Sequence, residues 1–220
     1  MHYDPDKEDH GFQYSPFKSC VVPRPIGWIS TTSATGIDNL APYSQFQNLS
    51  FDPPMVMIAA NQTFDGQRKD TVVNIEATGE FVWNMATYDL REAVNLSSAV
   101  LPPEIDEFEV AGVTKAPSLK VRPPRVAESP IQFECRHVQT VRLPGEGKTG
   151  TCDLVIGRVV QIHIDDRFIT EDGRIDVVSI KPLARMGYYD YTYVDKAFSM
   201  LPPNATGTRL AGLTGTRAVD

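Results

Sequence analysis

Prolines and glycines interrupt this chain at short intervals, and they limit the length of any regular element. Among its 220 residues are 17 prolines and 15 glycines. Short apolar runs bounded by such turn residues are typical of strands. Only two segments, 70–78 and 89–100, have a helical pattern. Because two helices cannot cover both faces of a parallel sheet, the sequence predicts a mainly β fold, an antiparallel barrel with helical insertions.

Seven segments have the apolar and β-branched composition of strands. They are 19–32, 40–51, 55–61, 81–86, 131–143, 153–165 and 175–180. The third is apolar on both faces, which predicts a buried central strand. The fifth and sixth are expected to pair as a hairpin through the turn 144–150. Asp89 and Glu92 have the spacing of a capping box for the second helix. The proline-rich stretch 101–130 is interpreted as a long surface excursion.

Length and charge exclude several classes of protein. The length fits a single domain over 1–220, with its core at about 15–195. The tail 196–220 is either disordered or an arm laid on a partner subunit. Acidic residues outnumber basic ones by 28 to 21, a net charge of −7 that argues against a nucleic-acid partner.

Targeting signals and cysteine spacing bear on the compartment. The sequence has no apolar run long enough to span a membrane, and it does not begin with a signal-peptide pattern. Its three cysteines have no CxxC spacing and are interpreted as reduced thiols. We therefore expect a cytoplasmic protein with no membrane partner.

One motif matches a phosphate-binding pattern in its residue spacing but not in its structural context. Residues 145–150 read Gly-Glu-Gly-Lys-Thr-Gly, which has the spacing GxGxxG. A dinucleotide fingerprint must open a helix, whereas a β-branched strand follows here. The sequence therefore predicts a hairpin turn with no phosphate role.

The histidines give no support for a metal site or for triad chemistry. No HExxH motif and no GxSxG elbow is present. His163 alternates with Ile162 and Ile164 on a predicted strand, which favours a structural role over a catalytic one. The prediction is that no metal is bound.

A cluster of hydroxyls and one helix start remain as candidates for anion binding. Ser30 to Ser33 end the first strand, and Lys69, Asp70 and Thr71 open the first helix. Free N–H groups, the helix dipole, an ammonium and a hydroxyl are suited to one phosphate. Asp70 is equally suited to be an ordinary N-cap beside a solvated Lys69. Local chemistry leaves both readings open.

An ordered set of short motifs runs through the chain. Its first members are Arg-Pro-Ile-Gly-Trp-Ile-Ser-Thr at 24–31 and Asn-Leu-Ala-Pro-Tyr-Ser at 39–44. Others are Lys-Asp-Thr at 69–71, Asp-Glu-Phe at 106–108 and Pro-Leu-Ala-Arg at 182–185. Together these motifs resemble the flavin reductase-like, FMN-binding split-barrel family, relatives of flavoredoxin. The resemblance spans about residues 15–195. It implies a six-stranded antiparallel Greek-key split barrel that forms a homodimer, with FMN near the subunit interface.

The resemblance also implies which residues would contact FMN. Hydroxyls and a helix start would hold its phosphate, namely Ser30, Thr31, Thr32, Lys69, Asp70 and Thr71, with Asn61 nearby. A strand end would lie beside the isoalloxazine, namely Ala41, Pro42, Tyr43 and Ser44. Trp28 and Arg24 would lie near the cofactor or the dimer contact. The sequence departs from the family pattern at Gln45 and at Gly187-Tyr188-Tyr189, where substrate specificity could reside.

The function implied is that of an NAD(P)H-dependent flavin reductase-type oxidoreductase. It would pass electrons from NAD(P)H through FMN to free flavin, ferric iron or a partner oxygenase. Two alternatives remain open at this point, a non-catalytic FMN-binding electron carrier and a split-barrel flavin oxidase or decarboxylase that acts on a small molecule. Because the cofactor supplies the reactivity, no catalytic side chain is assigned.

Overall fold

The computed structural model describes residues 1–7 and 10–203. From residue 204 onward, the predicted tail lies outside the described residues. The helices are short, and the first of them precedes the first strand. They are α1 (Phe17–Cys20), α2 (Asp70–Thr78), α3 (Arg91–Leu96), α4 (Glu107–Ala111), α5 (Gly147–Gly150) and α6 (Val177–Ile180). No helix in the described ranges is long and apolar enough to cross a membrane.

Strands make up most of the regular structure, as expected. They are β1 (Arg24–Pro25), β2 (Gly27–Thr32), β3 (Asp38–Tyr43), β4 (Phe46–Phe51), β5 (Pro54–Asn61), β6 (Glu80–Met85), β7 (Lys115–Ala116), β8 (Arg125–Val126), β9 (Ile131–Leu143), β10 (Cys152–Ile164), β11 (Leu183–Gly187) and β12 (Asp190–Tyr193). The main sheet has the order β3-β2-β6-β9-β10-β5-β4, and every pairing in it is antiparallel. It therefore has seven strands, where six were expected. Strands β1, β11 and β12 form a separate sheet.

Side-chain packing brings the two ends of the main sheet together. Phe46 on the last strand of the sheet order lies against Gly27 on β2, where an added Cβ would meet the ring at 2.8 Å. The Phe46 ring stacks on Trp83 with centroids 5.3 Å apart, and Trp83 packs on Phe133 at 4.5 Å. These rings fill the space enclosed by the curved sheet. Ring packing thus replaces backbone hydrogen bonds at this closure.

A second core lies on the other face of β2. Trp28 points away from the barrel interior and packs with Val94 of α3 and Phe108 of α4. Its neighbour Ile29 belongs to the interior cluster. Period-two alternation explains the division, because successive side chains of a strand point to opposite faces. Both faces of β2 are therefore buried.

Three strand predictions differ from the structure. The chain turns at Ser44 and Gln45, so the run 40–51 is divided between β3 and β4. The run 19–32 begins with the helical turn α1, and its strands start only at Arg24. The run 175–180 is wrong as a strand, because its last four residues form α6. Asp176 caps that helix by accepting hydrogen bonds from the Ser179 backbone N–H at 3.1 Å and hydroxyl at 2.6 Å.

The segment 89–130 also departs from expectation. Helix α3 begins at Arg91 without a side-chain cap, so the predicted capping box is wrong, and the helix ends at Leu96. The proline-rich stretch is only partly a surface excursion. Its helix α4 buries Glu107 and Phe108, and Asp106 caps it through the Phe108 backbone N–H at 2.9 Å. This stretch therefore covers the second core.

The GxGxxG segment connects β9 to β10, and the predicted hairpin is confirmed. Its middle forms the one-turn helix α5, and a strand follows. Gly145 lies so close to Gly150 that a Cβ on it would overlap the backbone of the latter. The first and last glycines of the motif are therefore explained by this close approach within the turn.

His163 has a structural partner. Its Nε2 lies 2.6 Å from Oε1 of Glu134, which is fully buried. Burial opposes ionisation of that carboxyl, but hydrogen bonds from the Leu119 backbone N–H and from His163 hold the pKa of Glu134 below its usual range. The pair ties β9 to β10 and to the loop that carries Leu119.

Candidate functional site

A large open cleft lies between the barrel and the small sheet. Its volume is about 1640 Å³, larger than the roughly 300–1,000 Å³ of ordinary small-molecule pockets. One wall consists of the ends of β3 and β5 and the start of α2. The other consists of the segment before β1 and the β11–β12 hairpin. The loop between β5 and α2, Glu107 and the residues after α3 complete its lining.

The start of α2 faces this cleft without a side-chain cap. Lys69 is the N-cap residue, and no side chain accepts a hydrogen bond at the helix start. The first N–H groups of a helix have no partner within it. Lys69 itself forms no ion pair with any described residue. Unpaired donors and an unpaired ammonium therefore occur together here.

Arg68 fixes the position of α2 on the barrel. Its guanidinium binds both oxygens of Glu76 at 2.7 and 2.8 Å, and its Nε donates to Asp153 on β10 at 3.0 Å. The hydrogen bond from Arg68 lowers the pKa of the Glu76 carboxyl. Asp153 is almost fully buried. Bidentate contacts of this kind restrict orientation as well as distance, so the first turn of the helix is held in one place.

Two buried amides attach α2 to the neighbouring strands. Asn74 on the helix donates to the Thr31 hydroxyl of β2 at 3.1 Å. Asn39 of β3 donates to the Thr71 hydroxyl at 3.0 Å. Thr31 thereby supports the helix from below, while Thr71 lies at the cleft surface. Such buried polar contacts are costly to leave unmade, so they favour one docking of the helix.

Three acidic groups meet at the bottom of the cleft. Burial, with smaller contributions from the nearby carboxylates of Asp70 and Glu107, raises the pKa of the Tyr43 phenol. Burial also raises the pKa of Glu107, although its carboxylate accepts a hydrogen bond from the Leu40 backbone N–H at 3.0 Å. Burial and nearby negative charges both favour the neutral, protonated form of an acidic group. Glu107 can therefore hold a proton at a pH at which an exposed glutamate is ionised.

The structure brings most, but not all, of the predicted site residues together. Eight of the twelve line the cleft, namely Ala41, Pro42, Tyr43, Ser44, Asn61, Lys69, Asp70 and Thr71. The other four lie on β2 outside the cleft lining and have partners inside the protein. Trp28 donates to the Ser97 hydroxyl at 2.9 Å, Ser30 to the Pro124 carbonyl at 2.5 Å and Thr32 to Asp38 at 2.6 Å, while Thr31 accepts from Asn74.

Several cleft residues were not assigned a role from sequence. Glu107 was placed on an expected surface excursion, and Arg185 appeared only as part of a family motif. For Arg185 the available signal is a charged residue within a short apolar run, between Ala184 and Met186. Glu107 lies between Asp106 and Phe108 in an acidic segment and has no such signal. In the described part of the chain no group of three or more His, Cys, Asp or Glu residues is arranged to hold a metal ion.

Comparison with protein families decides which group the chain belongs to. Residues 19–195 match the model of the flavin reductase like domain. The chain is a member of the flavin reductase-like family. This match covers every strand of the structure. It also covers the cleft lining, except for the residues before α1 and the first two residues of α1.

Solved structures agree with that membership. Nitrilotriacetate monooxygenase component B from Bacillus cereus is 30% identical, with a TM-score of 0.83 over 91% of this chain and 98% of that one. The 2-nitrobenzoate 2-nitroreductase of Pseudomonas fluorescens is 26% identical, with a TM-score of 0.79 over 94% and 100%. A Shewanella frigidimarina protein described with a split barrel domain is 25% identical, with a TM-score of 0.76 over 92% and 98%. The fold of this flavin reductase-like chain is thus similar to the split barrel.

The raised pKa of Glu107 predicts a pH-dependent cost to stability. Because burial raises its folded-state pKa above the unfolded value of about 4.3, the wild-type protein loses stability as pH rises through the interval between the two. Glu107→Gln cannot ionise but can still accept from Leu40. We expect its free energy of unfolding, measured in urea, to rise relative to wild type between pH 4 and 7. Glu109→Gln, at an exposed position of the same helix, is the control. A constant difference would contradict the prediction.

Proposed function

We propose that this chain binds FMN in the cleft and works as an NAD(P)H-dependent oxidoreductase of the flavin reductase type. The observation that supports it most directly is the uncapped start of α2 beside the unpaired Lys69. This arrangement suits a phosphate, because free N–H groups, the positive end of the helix dipole and an ammonium can all interact with one anion. Thr71 adds a hydroxyl at the same place.

The edge of β3 supports the placement of the flavin ring. This strand is first in the sheet order and pairs only with β2, so its other edge is unpaired by any strand. The Leu40 N–H on that edge donates to Glu107. Pro42 shares the same edge by the two-residue period, and its lack of an N–H leaves no donor unsatisfied there. The outer edge from Ala41 to Ser44 therefore has backbone groups available for the polar rim of an isoalloxazine.

In this proposal the protein binds and orients, and few of its groups ionise. When bound, FMN supplies the hydride and electron transfer. Lys69, Thr71 and the α2 N–H groups hold the phosphate. Tyr43 closes the bottom of the cleft as a neutral phenol, and Glu107 beside it can hold a proton.

The electron acceptor is proposed from the class of the neighbours. One similar structure is component B of a monooxygenase, which supports transfer to free flavin, ferric iron or a partner oxygenase. Another is a nitroreductase acting on 2-nitrobenzoate, which supports the second candidate, an enzyme that acts on a small molecule. A carrier without a nicotinamide site is the third. The unpaired cysteines favour a reducing, cytoplasmic compartment.

A homodimer is part of the proposal. Large apolar side chains are exposed around the small sheet, including Phe17 at 70% and Tyr189 at 86% of their free areas. The cleft is open on this side and would leave a flavin ring partly in water. A second subunit would cover both, and isologous pairs are the commonest assemblies.

The first test is reconstitution and reduction. Purified protein incubated with FMN and desalted should be yellow and should release FMN on heating. Under anaerobic conditions NADH or NADPH should bleach the visible flavin band of the holoprotein, because a donor site lies next to the flavin. Retention of FMN without bleaching would select the carrier instead. Failure to bind FMN would reject all three candidates.

Lys69→Ala should separate phosphate binding from ring binding. Lys69→Ala removes one charge-assisted contact and should lower the affinity for FMN by about ten- to a hundredfold. Thr71→Ala should lower it by about fivefold. Riboflavin, titrated by fluorescence quenching, should keep its affinity because it lacks the phosphate. Lys148→Ala, in the GxGxxG turn, is the matched control and should stay within a few-fold of wild type. Equal weakening of both ligands by Lys69→Ala would place the phosphate elsewhere.

Light scattering tests the assembly. We expect about twice the monomer mass, since the open cleft and exposed aromatic side chains need a partner surface. Dissociation by dilution should weaken FMN binding. A monomer that retains flavin tightly would contradict the proposed dimer.

A further inference from the structure

Two arginines face each other on the wall of the cleft opposite α2. Arg24 of β1 and Arg185 of β11 are direct cross-strand partners, and both line the cleft. Directly opposed residues of an antiparallel pair extend from the same face of the sheet. Two like charges in that position repel, which destabilises the pairing unless something compensates.

No carboxylate compensates for this repulsion among the described residues. Neither Arg24 nor Arg185 has an acidic partner within ion-pair distance, although the chain carries 28 acidic residues. By contrast, Arg68 in the same cleft binds two carboxylates. The opposed pair is therefore not a structural ion-pair site of the kind that Arg68 forms.

Backbone carbonyls hold both guanidiniums in place. Arg24 Nη1 donates to the carbonyls of Lys18 and Val21, the latter at 2.9 Å. Arg185 Nη2 donates to the carbonyl of Tyr188, and its guanidinium lies 4.4 Å from the centre of the Tyr191 ring. These contacts use one nitrogen of each group and cancel neither charge. Further N–H donors of each fork remain available.

The hairpin that carries Arg185 is held in an uncommon conformation. Gly187 has φ 115°, and a Cβ on it would overlap the Ser19 side chain of α1. Tyr188 has φ 45°, a left-handed conformation that costs free energy in a residue other than glycine. Its ring lies 5.7 Å from that of Tyr14. The wall therefore combines two fixed cations with an aromatic rim.

We propose that Arg24 and Arg185 together bind the oxyanion of a second ligand, the reaction partner that lies beside the flavin. The inference rests on the proposed function. A carboxylate or phosphate presents paired oxygens that match the guanidinium fork. The cleft exceeds the size of an ordinary single-ligand pocket, and Tyr14 and Tyr188 offer ring faces to a planar group. The oxyanion is either the pyrophosphate of a nicotinamide dinucleotide or the carboxylate of a small aromatic acid.

The test measures binding rather than turnover. The FMN-loaded wild type, Arg24→Gln and Arg185→Gln are titrated by calorimetry with NAD⁺ and with benzoate. Nicotinamide and benzamide serve as probes without the oxyanion. Arg167→Gln is the control, because that arginine is highly exposed and pairs with Asp165. Arg185→Lys keeps the charge but not the fork. FMN and riboflavin are titrated against each flavin-free variant.

We expect both glutamine variants to bind one of the two oxyanion probes about ten- to a hundredfold more weakly than wild type does, as for the loss of a charge-assisted hydrogen bond. The affinities for the matching neutral probe, for FMN and for riboflavin should stay within about threefold of wild type. The oxyanion affinity of Arg185→Lys should lie between those of wild type and Arg185→Gln. An effect on NAD⁺ identifies the dinucleotide as the source, and an effect on benzoate identifies the aromatic acid.

Three results would overturn the proposal. The first is wild-type protein that binds neither NAD⁺ nor benzoate. The second is an oxyanion affinity that both glutamine variants retain. The third is a loss of FMN affinity with riboflavin spared, which would mean that the arginines hold the flavin phosphate. If a glutamine variant does not fold, two other measurements test the proposal, the oxyanion affinity of Arg185→Lys and the salt dependence of wild-type binding. An ionic contact weakens with salt, so a wild-type affinity that salt does not change would overturn the proposal. Absence of FMN binding in wild type counts against the proposed function alone, since the oxyanion probes can also be titrated without flavin.

Discussion

The contact of Phe46 with Gly27 is the constraint on which the rest of the molecule depends. A seven-stranded sheet curls until its last strand meets β2, and the absence of a side chain at Gly27 lets the aromatic ring fit there. Because rings rather than hydrogen bonds make this closure, β3 keeps one free backbone edge. A fully hydrogen-bonded barrel would have no such edge. The position of the cleft follows directly from the way the barrel closes.

The geometry of the cleft is maintained in part by buried groups that do not line it. Asp153 is buried on β10 and holds Arg68, which in turn holds Glu76 of α2. Thr31 on β2 accepts from Asn74 of the same helix. Asp153 and Thr31 are buried, so breaking the contact of either leaves an unpaired buried group. The start of α2 is thus prearranged, and an arriving anion does not have to order it.

The sequence correctly predicts those elements of the fold that a local pattern determines. Helix α2 was predicted correctly because Gly79 ends it in the left-handed conformation with φ 74°, and the β9–β10 hairpin because two long β-branched runs flank one turn. It failed where a local cap outweighs composition, as when Asp176 turns a β-branched run into α6. The opposition of Arg24 and Arg185 was out of reach as well. Register between distant strands depends on tertiary packing, which no local pattern encodes.

The main sheet and the small sheet of β1, β11 and β12 lie on different sides of the cleft, and this determines what sets its width. Its walls belong to different sheets, and no strand ladder runs across the gap between them. Other contacts join the two walls instead. The bridge between Thr87 and Pro182 lies next to Leu183 of β11, which is buried with Trp28 of β2 in the second core. Because Leu183 and Trp28 share this core, the width of the cleft depends on tight side-chain packing behind it. A substitution at Leu183 therefore alters the cleft through the core, without changing any residue that lines it.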